Sequence, residues 1–526
     1  MSRDFQLPGR SPVIARNGMA ATSHPLATLA AIDVLREGGT AADAAVAAVA
    51  TLCVVEPHMT GIGGDCYCLV ARPGAEPWGY NGSGRSAANA SYEALRAQGL
   101  SNLDRTIHAV TVPGAIDAWE QILKAHGRFG LDRALRDAIR YAEGGFPVAA
   151  RIAWDWKRYI GKLAADPGAS KHYLFNGQAP QEGDVIRFPG LAAALKNIAA
   201  NGARAFYEGE IADEIVSTIR KRGSLMTAED FAGHRGDTVT PIQTNYRGTD
   251  FIELPPNGQG LTALVMLNIL ENFDLKSFDP TGPERFHLVL EAARLAFAVR
   301  DTHVADLDYM RTPVEALIDK KFGKKLAASI DPNKRSDLPA RPTPASDTVC
   351  LTVVDRDRMS VSLINTLFSY FGSGICTEKS GILLTDRGGC FTMQPDHPNT
   401  FGPAKRPMHT IIPALAMKNG RCEMSFGVMG AHYQPMGHVQ IILNMLDYGM
   451  DVQQAIDGPR FFFEGDAVVV ETGTPKATIE GLRARGHRVE MAKTPWGGAQ
   501  TIKIDWDRGV LIAGSEPRKD GCALGY

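Results

Sequence analysis

Residues 329–366 read SIDPNKRSDLPARPTPASDTVCLTVVDRDRMSVSLINT. The first half, 329–346, holds four prolines and almost nothing apolar, the composition of an exposed, extended linker. The character changes at Thr348. TVCLTVV (348–354) and SVSLINT (360–366) are two β-type runs separated by the polar stretch 355–359. A hairpin centred on Asp357 pairs residues whose numbers sum to twice 357, so Val354 faces Ser360 and Thr348 faces Thr366. Two hydroxyl side chains then meet at the open end of the hairpin.

Upstream, 23–37 carries Leu26, Leu29, Ile32 and Leu35 at helical spacing and ends at Gly38-Gly39. Thr40 and Asp43 form a helix-start box with Asp in place of Glu, leading an alanine-rich segment to Val55. So much alanine predicts a helix packed closely on a sheet. Then come a loop, EPHMTGIGGD (56–65), and an apolar strand, 66–71. The run Gly61–Gly64 follows a helix and lacks a lysine-serine ending, so it reads as a close backbone approach, not a phosphate loop. The stretch 110–330 is mostly helical, with clear 3.6-residue periodicity at 191–200 and 286–301. After the hairpin come a glycine-rich exit (371–374), a strand over 409–417, a turn over 427–431 and an amphipathic helix near 437–448.

The chain has 526 residues, 44% hydrophobic and 22% charged, with a formal net charge of -2. Near-neutral charge without runs of like sign argues against nucleic acid or an anionic membrane as partner and leaves a small-molecule or peptide substrate. No signal-peptide pattern and no apolar run of membrane-spanning length is present. The eight cysteines match no zinc spacing, and there is no HExxH or calcium loop. The expectation is a cytoplasmic protein with reduced, buried thiols and no metal or other cofactor.

A proline-rich linker running into a threonine that begins a strand is the arrangement of a self-cleaving N-terminal nucleophile hydrolase. The chain resembles the γ-glutamyltranspeptidase family along nearly its whole length. The matching blocks include ATSHPLATLAAIDVLREGGTAADAAVA, VVEPHMTGIGGD, TVPGAIDAW, ELPPNGQG, DTVCLTVVD, FGSGI, KRPMHTIIPAL, FGVMGAHYQPMGHVQ and DYGMDVQQAIDGPRFF, in the family's order. The resemblance implies an α+β fold, a four-layer αββα sandwich with two stacked antiparallel sheets. It implies a precursor cut between Asp347 and Thr348, with 1–347 as large chain and 348–526 as small chain. The two remain associated as one intertwined domain, and such pairs can form a dimer.

A threonine hydroxyl is a poor nucleophile until a nearby base takes its proton. An α-amine freed by the cut has a reference pKa of about 7.7–8.0 and can serve as that base near neutral pH, whereas the precursor amide cannot. Thr348 is thus the expected nucleophile. By resemblance, Thr366 orients its oxygen, and the backbone N–H groups at Gly430-Ala431 receive the oxyanion. The bland alternative for Thr366 is a cross-strand Thr–Thr pair, and His409 and His432 also suit purely structural roles.

The departures from the family pattern concern the substrate. The arginine that holds a glutamyl carboxylate has no counterpart in register; Arg85 lies about two positions away. The acidic residue that holds the substrate amine is absent from its place in the segment 385–390, a serine pair is replaced by His409-Thr410, and the lid loop is shortened to 394–403. Arg85, Arg387, His409 and Thr410 remain, a set suited to a carboxylate without an adjacent ammonium. For Arg85 the alternative is a surface ion pair. The pattern resembles the amidohydrolase and acylase branch, which includes oxamate amidohydrolases and glutaryl-cephalosporin acylases. The expected activity is hydrolysis of a small carboxylate-bearing amide, oxamate-like or glutaryl-like, through an acyl-threonine intermediate. A true glutathione hydrolase or γ-glutamyltransferase is the alternative, and an inactive scaffold the third.

Overall fold

The computed structural model describes residues 6, 9–338 and 348–526. Asp347 and the linker residues 339–346 lie outside the described residues. The hairpin forms in the expected register: Val349 pairs with Asn365, Cys350 with Ile364 and Val354 with Ser360. It is flanked by Met19–Thr22 on one side and Asp65–Ala71 on the other, so it occupies the middle of a sheet. That sheet runs Cys522–Gly525, Met19–Thr22, Val349–Val354, Ser360–Thr366, Asp65–Ala71, Trp78–Gly82, Asp237–Val239. A second seven-stranded sheet runs Val13–Ala15, Val510–Ser515, Gly498–Asp505, Arg421–Met429, Ala414–Lys418, Thr249–Glu253, Ile242–Tyr246. Both contain only antiparallel pairs, and both contain strands from either side of Thr348.

The two sheets stack face to face. Thr352 Oγ1 donates to Ser425 Oγ at 2.5 Å, and Ser362 Oγ donates to the Phe426 carbonyl at 2.8 Å. Side chains alternate along a strand, so Cys350, Thr352 and Val354 share this inner face with Ser360, Ser362 and Ile364. Thr348 and Thr366 continue the same rows.

Helices close both outer faces, giving the αββα order. Pro25–Arg36 and Ala41–Val55 cover the first sheet. The capping box forms: the Thr40 N–H donates to Asp43 Oδ2 at 2.8 Å, and the Asp43 N–H donates to Thr40 Oγ1 at 3.3 Å. Every residue of Ala41–Val55 is buried, which its alanines permit because they let the helix axis approach the sheet closely. Gly260–Leu270 and Gln434–Leu446 cover the second sheet, and Pro283–His303 packs on Gly260–Leu270.

Two of the boundaries that differ from the sequence reading bear on the site and the gap between the sheets. The strand expected over 409–417 begins only at Ala414. Pro413 has no N–H for a ladder, and the chain before it carries His409 and Thr410 into the site. Gly427 lies inside the strand Arg421–Met429, and the turn begins at Gly430. Gly427 is needed for space: a β-carbon there would overlap Cys350 Sγ across the inter-sheet gap. Gly427→Ala is expected to lower the unfolding free energy by about 1–3 kcal/mol through overpacking. Denaturant midpoints measure this, and adding Cys350→Ala should recover part of the loss. An unchanged midpoint for the single variant would show that the gap is not tight.

Candidate active site

Thr348 Oγ1 and Thr366 Oγ1 lie 3.1 Å apart at the head of the hairpin, both buried. The backbone N–H of Phe368 donates to Thr366 Oγ1 at 2.8 Å, which holds the second hydroxyl in place. Phe368 itself has φ +76°, a left-handed conformation costly for a residue with a β-carbon. The close backbone approach read from Gly61–Gly64 occurs here. A β-carbon on Gly64 would overlap the Thr366 carbonyl, and one on Gly63 would overlap that of Leu383.

Behind the hydroxyls sits a buried carboxylate. Asp65, the ladder partner of Thr366, accepts from the Gly84 N–H at 3.0 Å and from His409 Nε2 at 3.0 Å. Arg387 Nε stands 3.9 Å from the same carboxylate. His409 Nδ1 accepts from the Ile411 N–H at 3.3 Å, so both ring nitrogens are engaged by the protein. That pattern requires a neutral ring with its proton on Nε2. Burial holds the His409 pKa down at about 4, and the Arg387 guanidinium adds to the effect.

Arg387 is fully buried. Its guanidinium carbon lies 4.1 Å from the centroid of the Phe368 ring, and NH1 donates to Thr410 Oγ1 at 2.8 Å. NH1 also approaches Cys390 Sγ at 3.7 Å, while NH2 has no hydrogen-bond partner among the described residues. A buried guanidinium with a vacant donor is suited to an acceptor that arrives with a ligand.

The Gly430-Ala431 turn is built from a third direction. Gly430 has φ +123° and Ala431 φ +48°, and the 3-10 turn Ala431–Tyr433 follows directly. The amides of Ala431 and His432 therefore stand where a helical turn offers its N–H groups no internal acceptor. Gln259 ties this turn to the rest: its Nε2 donates to the carbonyls of Ala431 at 2.8 Å and Thr410 at 2.7 Å. Arg300 NH1 in turn donates to Gln259 Oε1 at 2.6 Å and to His432 Nδ1 at 3.0 Å. Burial, with Arg300 and Arg387 adding to it, keeps His432 neutral, so its remaining proton is on Nε2.

A cleft of about 680 Å3 opens beside this group, with Arg300, Phe368, Cys390 and His432 in its wall. A larger hollow of about 950 Å3, bounded by Arg10, His24, Lys519 and Cys522, contains none of the predicted residues.

Thr348, Thr366, Arg387, His409 and Thr410 are thus joined through Asp65 and Phe368, and Gln259 links Gly430-Ala431 to Thr410. Arg85 is directed elsewhere: it lies 3.5 Å from Asp237 and donates to the Arg235 carbonyl at 3.3 Å. This is the surface ion pair that stood as the alternative. Asp65, Gln259, Arg300 and Phe368 join the site without a sequence motif that assigns them a role. Asp65 ends the GIGGD block and Gln259 lies in NGQG, so the glycines beside them were the available signal. The buried trio His287, Glu291 and His487 brings ligating atoms within 4.8 Å of one another, away from the predicted site residues.

The αββα layering is that of the N-terminal nucleophile hydrolases. The chain belongs to the gamma-glutamyltranspeptidase family, whose model matches residues 27–526. It is similar to the "Glutathione hydrolase-like YwrD proenzyme" of Bacillus subtilis, 39% identical over 98% of this chain and 99% of that protein. It is also similar to the "Oxamate amidohydrolase proenzyme" of Klebsiella pneumoniae, 33% identical over 98% of this chain and 99% of that protein. Among solved structures, a cephalosporin acylase from Bacillus halodurans superposes with a TM-score of 0.93 at 37% identity, covering 100% of this chain and 99% of that one. At family level the protein is an amide-bond hydrolase of a self-processing lineage.

The neutral histidines make an acid prediction. Between about 6.5 and 4 the unfolded chain binds protons that folded His24 and His409 do not, since burial holds both near 4. Stability therefore falls as pH is lowered through that window. Thermal midpoints recorded from pH 7 to pH 4 should decline, and His409→Gln should flatten part of the slope. A pH-independent midpoint would contradict the neutral assignment.

Proposed function

We propose that the chain cuts itself between Asp347 and Thr348 and that Thr348 is then the nucleophile of a small-amide hydrolase. The observation that carries this reading is the buried hydroxyl pair Thr348–Thr366 at 3.1 Å, at the start of a central strand and linked to a buried arginine. In the cut, Thr348 Oγ1 adds to the Asp347 carbonyl carbon, the C–N bond breaks, and the nitrogen takes the hydroxyl's proton. Water then hydrolyses the resulting ester, leaving the Asp347 carboxylate, the Thr348 hydroxyl and a free amine. That amine accepts the Thr348 proton in each later turnover.

Substrate follows the same order. Thr348 Oγ1 adds to the amide carbonyl while the backbone donors of Gly430-Ala431 receive the oxyanion. Ammonia or an amine leaves, and water cleaves the acyl-threonine ester. Arg387, held by Thr410 and stacked on Phe368, takes the substrate carboxylate with its vacant NH2. Asp65, itself held by His409, faces Arg387 at 3.9 Å; Arg85 has no part in this reading. The substrate class is a small amide bearing a carboxylate, oxamate-like or glutaryl-like, which the oxamate amidohydrolase and cephalosporin acylase relatives support. A γ-glutamyl substrate is the second reading, favoured by the 39% identity to a glutathione hydrolase-like relative.

Segments 1–347 and 348–526 stay together after the cut, since each sheet interleaves strands of both. No helix among the described residues is long and apolar enough to cross a membrane. All eight cysteines are unpaired, which supports a cytoplasmic location.

Thr348→Ala should abolish both cutting and turnover, and Thr348→Ser should keep a measurable part of each, as read by intact mass and amide hydrolysis. Assays with oxamate, glutaryl-p-nitroanilide, γ-glutamyl-p-nitroanilide and glutathione rank the substrates; preference for the γ-glutamyl pair would select the second reading. For the processed enzyme, kcat/KM should rise with pH through about 7–8 as the amine loses its proton. A flat profile there would rule out the amine as base.

A further inference from the structure

The segment that leads toward Thr348 is fastened along its described length. Helix Pro283–His303 presents His287, Glu291 and Arg294 on one stripe, spaced four and three residues apart. The chain 331–338 runs along that stripe. His287 Nε2 bonds the Asp331 carbonyl at 2.7 Å, the Ser336 N–H donates to Glu291 Oε2 at 3.0 Å, and Arg294 NH1 donates to the Leu338 carbonyl at 3.0 Å. Arg294 has no exposed side-chain surface, pairs with Glu291 at 3.2 Å and stacks on Phe463 at 4.6 Å.

The part of the chain after Thr348 grips the same segment from the other side. Arg485 Nε donates to the Pro332 carbonyl at 3.2 Å, the Arg335 N–H donates to the Arg485 carbonyl at 2.8 Å, and Arg335 pairs with Asp466 at 2.6 Å. His487 Nε2 meets His287 Nδ1 at 2.8 Å, and burial keeps His487 neutral, down at about 3. A cation among His287, Glu291 and His487 is disfavoured: Arg294 already neutralises the carboxylate, and Arg335 and Arg485 add to the positive charge around His487.

We propose that this clamp is a positioning device for self-cleavage: by anchoring the chain through Leu338 it presents the Asp347–Thr348 bond for attack, and it has no part in later turnover. The proposal rests on the reading of Thr348 as the site of the cut. The helix Lys320–Ala327 ends 20 residues before Thr348, whereas the Leu338 anchor leaves nine. By the loop-closure relation, halving such a stretch raises the chance of encounter about threefold. Fixing its direction adds to this. Because the clamp contacts include none of Thr348, Thr366, Arg387, His409 or Thr410, losing them should leave the processed site intact.

The test follows the uncut full-length chain by intact mass after synthesis, for Arg294→Ala and Ser336→Pro beside the unaltered protein. Ser336→Pro removes the clamp hydrogen bond to Glu291 and leaves the Arg294–Glu291 pair in place. Arg294→Ala, which removes the Leu338 anchor, should lengthen the half-time of the uncut chain about threefold or more, and Ser336→Pro should lengthen it measurably in the same direction. Once cut, they should turn over amide within about twofold of the unaltered enzyme. The proposal is overturned if Ser336→Pro cuts at the normal rate, or if turnover per processed chain falls as far as cutting does. Should Arg294→Ala fail to fold, Ser336→Pro decides alone. A Thr348→Ala arm separates the two claims: cutting that persists there refutes the nucleophile assignment, whatever the clamp variants do.

Discussion

The pairing register of the central hairpin decides which side chains reach the gap between the sheets. With Val354 opposite Ser360, the even-numbered rows of both strands face inward, and Thr348 and Thr366 close those rows at one end. A slip by one residue would turn Val349 and Asn365 inward and bury both hydroxyls against the helices. Neighbours on both sides hold the register, since Met19–Thr22 and Asp65–Ala71 each pair along the hairpin. The ladder with Asp65–Ala71 also places Asp65 beside Thr366. One alignment therefore positions both the hydroxyl pair and the carboxylate behind it.

Around that carboxylate the charges are arranged for a site kept from water. Asp65 and Arg387 are both fully buried, and the His409 that bonds Asp65 is neutral. A buried cation with a vacant donor is costly unless something completes it. Here the completion is partial: the ring of Phe368 on one face, Thr410 at one nitrogen and the Asp65 carboxylate at 3.9 Å. The left-handed Phe368 belongs to the same economy, because its N–H holds Thr366 while its ring supports Arg387.

Local signals were legible and long-range ones were not. The hairpin register followed from the symmetry about Asp357, and the Thr40–Asp43 box followed from spacing alone. Both concern residues close in sequence. Asp65 and His409 stand 344 positions apart, and Gln259 and Ala431 stand 172 apart. No periodicity announces such partners. Arg85 shows the converse: two positions from its expected place, its side chain found Asp237, 152 residues away. Gly427 has the sequence signature of a turn because glycine usually signals one; here it makes room for a thiol on the facing sheet.

The interleaving of both segments in both sheets bears on how long the processed enzyme lasts. An intact chain that opens can close again by itself, since its halves never part. Once the peptide between them is gone, a fully opened molecule becomes two fragments, and reassembly depends on their concentration. Longevity would then be governed by how slowly the sandwich first opens, not by the balance between open and closed forms. Severing one bond would thus turn a reversible fold into one maintained by its own barrier.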